Sequence, residues 1–341
     1  MNLSKLPHSA VLVLLFALTS LPIACGNNNS PSAPAPVTVI VNPTPVMGSG
    51  TGQNWYETTA AAPWAARQGD ISLTFNNLMW VIGGNYNAGV TNDAWYSSNG
   101  VSWTQAPQTS PYTARAFFSG AVFNNAMWIM GGSSPSINND VWHSTDGSNW
   151  TQAVASGSAT FSPRGNQTTV AYNGKLWVIG GYTTMPLTDV YSSTDGANWT
   201  QVTAAASFPA RYEHGSLVFN NAMWVIGGIG NSSTLNDVWT STDGAHWTEV
   251  TASAEFSPRY GLQTLVYNGA MWVIGGTGSS VFNDAWYSYD GNIWAQATTS
   301  TGVEFTARKF FSATVFNDHM WIFGGFIQAP PTYYNDVWYS P

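Results

Sequence analysis

The chain has 341 residues, of which 44% are hydrophobic and only 8% charged, with 9 Lys+Arg against 17 Asp+Glu and a single Cys. That balance leaves no basic stripe, so nucleic acid is not an expected partner, and one Cys excludes an internal disulfide. Its 18 Trp and 33 Gly with almost no Lys suit an all-β protein built on tight turns.

Residues 1–24 read as a targeting segment: Lys5 supplies a positive start, an apolar run follows from Ala10, and Leu21-Pro-Ile-Ala24 leads to Cys25. The run is too short and wrongly flanked for an ordinary transmembrane helix. A lone Cys after small residues at the end of such a segment resembles a bacterial lipoprotein signal. The resemblance implies lipidation of Cys25, an exported protein and a lipid anchor in the bacterial cell envelope, facing the periplasm or the surface. Ordinary signal cleavage with a free thiol is the alternative. Residues 25–50 are rich in Pro, Gly, Ser and Asn and have little apolar surface to bury, so they are expected to form an extended linker. Removing Lys5 with the signal leaves 8 basic against 17 acidic side chains, a net −9.

From residue 51 to 341 the chain repeats. All six arginines (Arg67, Arg115, Arg164, Arg211, Arg259 and Arg308) stand 16 residues before a Gly-Gly pair, with spacings of 48, 49, 47, 48 and 49. A fixed period of this length marks stacked supersecondary units. The fourth unit shows the pattern. From Arg211 an apolar run reaches Phe219, Asn220-Asn221 makes a turn, and Ala222–Ile226 runs into Gly227-Gly228. Asn236-Asp-Val-Trp-Thr-Ser then gives a third strand, Asp243-Gly a turn, and His246–Val250 a fourth. Asn tolerates the positive φ of a tight hairpin, so each unit is a four-stranded antiparallel meander. Tryptophans recur before Gly-Gly, in strand three (Tyr191 in the third unit) and at the start of strand four, and only Trp64 falls outside the scheme. Carbohydrate stacking is one use for such a ladder, but packing between neighbouring sheets suits repeated positions better. The sixth unit ends after strand three, and Gly52-Gln-Asn-Trp55 matches the missing fourth strand. The N-terminal strand should therefore close the last blade and leave only short edges.

Gly-Gly after an apolar strand, then an Asn-Asp aromatic strand and a Trp, resembles the kelch motif. The resemblance covers about 290 residues in six copies and implies a six-bladed β-propeller. The turn Ser144-Thr-Asp-Gly-x-x-Trp150 is similar to the Asp-box of sialidase propellers but lacks one residue between Asp and Gly, and is read as structural. Galactose-oxidase-like copper chemistry would need a Cys–Tyr crosslink, and the propeller has no Cys.

Antiparallel order puts the arginines, the loops after Gly-Gly and six strand-three aspartates (Asp93, Asp140, Asp189, Asp237, Asp284, Asp336) on one face. Two arrangements are open: a structural belt of Arg–Asp pairs, or a ligand-binding mouth in which arginines hold an anion, with Tyr212 and Tyr260 beside them. Just after each arginine the repeats diverge: Gln68 and Asp70, Phe117 and Phe118, Asn166 and Gln167, Tyr212 to His214, Tyr260 and Gln263, Lys309 to Phe311. Divergence inside a rigid repeat suits an asymmetric ligand surface. Glu213 and His214 are the catalytic candidates, and strand alternation would turn only one of them to the channel. His8, His143, His214, His246 and His319 show no metal-ligand spacing, so neither metal nor cofactor is expected. The expected protein is a monomeric extracytoplasmic binding module on a membrane anchor, its ligand a protein or a carbohydrate. The alternative is an enzyme on an acidic sugar, in the manner of a sialic-acid mutarotase. Unpaired arginines near a channel carboxylate would favour the enzyme; arginines fully paired with Asp and exposed aromatic loops would favour the binder.

Overall fold

The computed structural model describes residues 54–109, 112–298 and 304–341. The predicted signal, linker and lipidation site at Cys25 lie outside them. The described chain is all-β, with six four-stranded antiparallel sheets and two small hairpins. Blade four runs outward as Gly215–Phe219, Ala222–Ile229, Thr234–Ser241 and Thr248–Thr251. The innermost strands of the six blades are Ile71–Phe75, Ser119–Phe123, Thr168–Tyr172, Gly215–Phe219, Gln263–Tyr267 and Ser312–Phe316, and they touch one another in a closed cycle. The result is a six-bladed propeller round a central channel.

Each hairpin between the inner strands turns where the sequence placed Asn. Asn220 and Asn221 have φ of 47° and 57°, and Asn76-Asn77, Asn124-Asn125 and Asn317-Asp318 behave alike. These are the two successive positive φ values that match the twist of paired strands. Tyr56–Thr59 pairs with Val337–Ser340 and completes blade six, as the repeat arithmetic requires.

The tryptophan ladder is packing, and its polar ends are satisfied. The Trp before each Gly-Gly donates its indole N–H to the carbonyl five residues earlier, as Trp224 does to Phe219 at 3.0 Å. The Trp opening strand four donates to the turn glycine, as Trp247 does to Gly244 at 3.0 Å. That glycine has φ of 74°, and a Cβ on it would lie 2.2 Å from the Trp177 ring of the preceding blade. Only Gly lets the neighbouring indole slide beneath this turn.

Trp64 does belong to the repeat. It stands three residues before Arg67, where the other units have Tyr112, Phe161, Phe208, Phe256 and Phe305. Each of these aromatics packs edge-to-face on a strand-four Trp: Trp64 on Trp103 at 4.7 Å, Phe208 on Trp247 at 5.1 Å, and Phe305 on Trp55 at 5.1 Å. The position tolerates three aromatic types, which hid it from a search for tryptophan.

Candidate functional site

The arginine face is built first by six buried ion pairs. Arg115 Nη1 and Nη2 donate to the two carboxylate oxygens of Asp140 at 2.7 and 2.8 Å. Its Nε donates to the Thr113 carbonyl and its Nη1 also to the Gly131 carbonyl. The same arrangement recurs at Arg67–Asp93, Arg164–Asp189, Arg211–Asp237, Arg259–Asp284 and Arg308–Asp336. In five blades the aspartate also accepts the strand-three indole N–H, as Asp237 does from Trp239 at 2.8 Å. Every guanidinium is 0–1% exposed and none lines the channel. The anion-binding mouth expected for Arg67, Arg115, Arg164, Arg211, Arg259 and Arg308 is therefore a belt instead. Fork-to-fork geometry uses four of the five guanidinium donors on carboxylate and backbone together, in positions closed to a ligand.

The two residues after each arginine form the mouth of the channel. The first (Gln68, Ala116, Gly165, Tyr212, Tyr260 or Lys309) bridges to the loop after Gly-Gly in its own blade. The second takes a left-handed conformation in every blade: Gly69, Phe117, Asn166, Glu213, Gly261 and Phe310 have φ of 54–65°. Their backbones link into a ring. Phe117 N–H donates to Gly69 O, Asn166 to Phe117 O, Glu213 to Asn166 O, Gly261 to Glu213 O, Phe310 to Gly261 O and Gly69 to Phe310 O, all within 2.8–3.0 Å. This kink breaks the alternation assumed for a continuous strand. Both Glu213 and His214 consequently line the channel, where strand geometry allowed only one.

Glycine and Asn suit this conformation; Phe117, Glu213 and Phe310 hold it at a cost of about 1 kcal/mol or more each. Their side chains meet over the channel mouth. Phe117 and Phe310 pack edge-to-face at 5.4 Å. The Lys309 ammonium lies 4.8 Å from the Phe310 ring and 5.4 Å from Tyr260, while Tyr182 packs on Tyr212 at 4.8 Å. Burial pushes the Glu213 carboxyl up to about 7, with the Lys309 charge opposing the rise. Burial also lowers Lys309, and Glu213 opposes that shift. Tyr212 and Tyr260, the two aromatic site residues expected from sequence, are thus assembled with Tyr182, Lys309 and Phe310 on one rim.

Below the ring lies a cavity of about 230 Å³ walled by Ser, Thr and Gly of the innermost strands. Its third-position side chains tuck between blades against the first Gly of the preceding Gly-Gly, as Phe118 does at Gly83 and Leu262 at Gly227. Blade one places Asp70 there, 6% exposed, with Oδ2 accepting from Ser312 Oγ at 2.6 Å. Burial pushes Asp70 up to about 7 despite the nearby Arg67 charge. His214 occupies the same position in blade four, its Nε2 2.9 Å from Thr168 Oγ1, and burial lowers it to about 3, so it is a neutral imidazole. Sequence marked Asp70 as variable; its burial follows from the kink, which reading the segment as a continuous strand left out. Among the described residues no group of three or more His, Cys, Asp and Glu converges as a metal site.

The two raised carboxyls fix a pH dependence. An acid whose folded pKa lies above its unfolded value stabilises the protein fully below the unfolded value, and that contribution is lost as pH rises through the folded one. Stability from Asp70 and Glu213 should fall between about pH 4 and about 7. Asp70→Asn removes the larger part of the slope and should unfold at higher denaturant than the parent at pH 8, by a few kcal/mol. Urea melts across that range check it; parallel curves for the two proteins would mean that Asp70 is solvated.

A family model described as the KLHDC2/KLHL20/DRC7 Kelch-repeats domain matches residues 133–325, more than half of the chain. Comparison with curated proteins gives no significant match.

Proposed function

The chain belongs to the kelch-repeat family, and from that premise we propose that its propeller is a protein-interaction module, held outside the cytoplasm by a lipid on Cys25 and the 25–50 linker. The observation that carries this reading is the set of side chains at the mouth. Phe117, Glu213 and Phe310 occupy ring positions that the backbone would give to Gly or Asn. Three blades hold the same backbone with Gly or Asn, so bulk there is not required by the fold and the side chains are read as serving a ligand.

Tyr182, Tyr212, Tyr260 and Phe310 present rigid, amphipathic contact area of the kind that dominates binding energy at protein interfaces. Glu213 and Lys309 beside them, each acting on the other's charge, add polar recognition. The acidic-sugar enzyme needs free arginines to hold a carboxylate, and all six are spent on Asp. That distribution favours the binder.

The test is crosslinking capture from the native envelope with the parent protein and a Tyr212→Ala, Tyr260→Ala double variant. Both tyrosines are partly exposed, so the variant should melt within a degree or two of the parent. A protein captured by the parent and lost from the double variant is the expected result. Equal capture by both would remove the rim from the interface. A melting shift with a sugar and no specific protein capture would replace the partner with a glycan. Replacing Cys25 with Ser and finding the protein still in the membrane fraction would overturn the anchor.

A further inference from the structure

Lys309 is held differently from the arginines. All six guanidinium groups are paired with carboxylates, whereas the Lys309 ammonium has neither a hydrogen bond nor an ion pair among the described residues. The residue is only 8% exposed. Its nitrogen is not among the described buried side-chain atoms sealed off without a partner, so part of its surface stays open. The Lys309 N–H and carbonyl both bond to Phe326, at 3.0 and 2.9 Å, which fixes where the side chain starts. Its stem crosses Gly261, where an added Cβ would come within 3.3 Å of Lys309 Cβ. The nitrogen ends 4.8 Å from the Phe310 ring and 5.4 Å from the Tyr260 ring.

Glu213 comes to the same place from the other side of Gly261, whose N–H donates to the Glu213 carbonyl at 3.0 Å. Its carboxyl is also without a hydrogen bond or ion pair among the described residues, and the charge that acts on each of Glu213 and Lys309 is the other's. The fold requires neither side chain. The sister blades build the Lys309 position from Gln, Ala, Gly or Tyr, and the Glu213 position from Gly, Asn or Phe, on the same backbone. An anion here would meet Glu213, and a cation would meet Lys309. A neutral electrophile suits both, since an unpaired amine can attack it while a carboxyl close by moves the protons. Burial lowers Lys309 from the usual lysine value, which favours the uncharged amine.

We propose that Lys309 is a carbonyl-condensing site: its amine forms an imine with a small aldehyde whose hydrocarbon part lies against Phe310 and Tyr260, with Glu213 as the acid–base group. The Nζ lone pair attacks the carbonyl carbon and the C–N bond forms. Glu213 passes a proton from nitrogen to the carbonyl oxygen, which becomes a hydroxyl. The C–O bond then breaks, and the hydroxyl leaves as water with a proton from Glu213. The proton left on the imine nitrogen returns to the Glu213 carboxylate. One water is released, and no oxidant or reductant is consumed. This chemistry does not depend on docking at the rim, and capture of a protein partner remains a separate test.

The chain's three lysines, Lys5, Lys175 and Lys309, make the experiment specific. Lys175 opens the strand Lys175–Ile179 at the hairpin end of blade three, away from the mouth, and is the internal control. It is more exposed than Lys309, so access alone would label it faster. The full protein is incubated at neutral pH with propanal and sodium cyanoborohydride, which reduces the imine to a stable amine, and the labelled peptides are followed by mass spectrometry. The adduct should build at Lys309 at least about tenfold faster than at Lys175, with a rate that saturates in propanal. Glu213→Gln should slow trapping at Lys309 at least about tenfold and leave Lys175 unchanged. Phe310→Gly restores the residue its backbone prefers, and it should raise the half-saturating concentration of propanal but not of formaldehyde. Equal rates at the two lysines, a rate at Lys309 that stays linear in propanal, or a Glu213→Gln protein that traps as fast as the parent would each overturn the proposal.

Discussion

Asp140→Ala should cost about 3–5 kcal/mol and lower the melting temperature by roughly 6–10 °C, although its side chain is closed to any ligand. Asp140 and Arg115 are 5% and 0% exposed, so truncating the carboxylate leaves a guanidinium buried and unpaired. The pair is shielded from ions in solution, and added salt should not rescue the variant. Arg115→Met removes the charge but also the donors to the Thr113 and Gly131 carbonyls. Buried ion pairs can often be replaced by apolar residues without loss, but here a double replacement would orphan two backbone acceptors. The double variant should therefore recover only part of the single-variant cost. Arg115→Lys should fare poorly as well, because an ammonium cannot serve a carboxylate fork and two carbonyls at once. Chemical denaturation of the four proteins measures the cycle. A loss below about 1 kcal/mol in Asp140→Ala would place the belt among exposed, screened pairs.

The belt shows what the sequence made legible. Antiparallel order alone put each arginine and each strand-three aspartate at the same end of a blade, and every pair formed there. What remained hidden was the kink two residues later. A run such as Arg211-Tyr-Glu-His-Gly reads as the start of a strand, yet the strand begins only at Gly215. The signal was present in other blades, where Gly69, Asn166 and Gly261 stand at the position of Glu213 and suit positive φ. Aligning those three against Phe117, Glu213 and Phe310 would have located the ring, and with it the channel-facing pair Glu213 and His214. Burial of Asp70 follows from the same kink and could not be read without it. The aromatic three residues before each arginine was similarly missed at Trp64, because Tyr and Phe serve the same edge-to-face contact.

Closure of the ring carries the other large effect. Trp55 is 2% exposed and packs on Phe305, the contact that five other blades make with a strand-four Trp of their own continuous chain. Trp55→Ala should cost about 3–5 kcal/mol, as large aromatic truncations in a core do. Removing residues 51–59 goes further. It strips Val337–Ser340 of its outer partner, removes the Tyr56–Tyr339 contact at 5.4 Å, and cuts the hydrogen bonds of Thr58 and Thr59 to the Gly100 carbonyl in blade one. The strand both completes blade six and ties it to its neighbour, so the ring loses two restraints together. An open strand edge pairs with whatever extended chain it meets, and the truncated protein should associate as concentration rises. A synthetic peptide of residues 51–60 should add back to the edge, raise the melting temperature and suppress that association, since strand addition uses the same backbone hydrogen bonds. Light scattering and thermal melts with and without peptide separate the outcomes. A truncated protein that melts like the parent would show that inter-blade packing alone holds the ring shut.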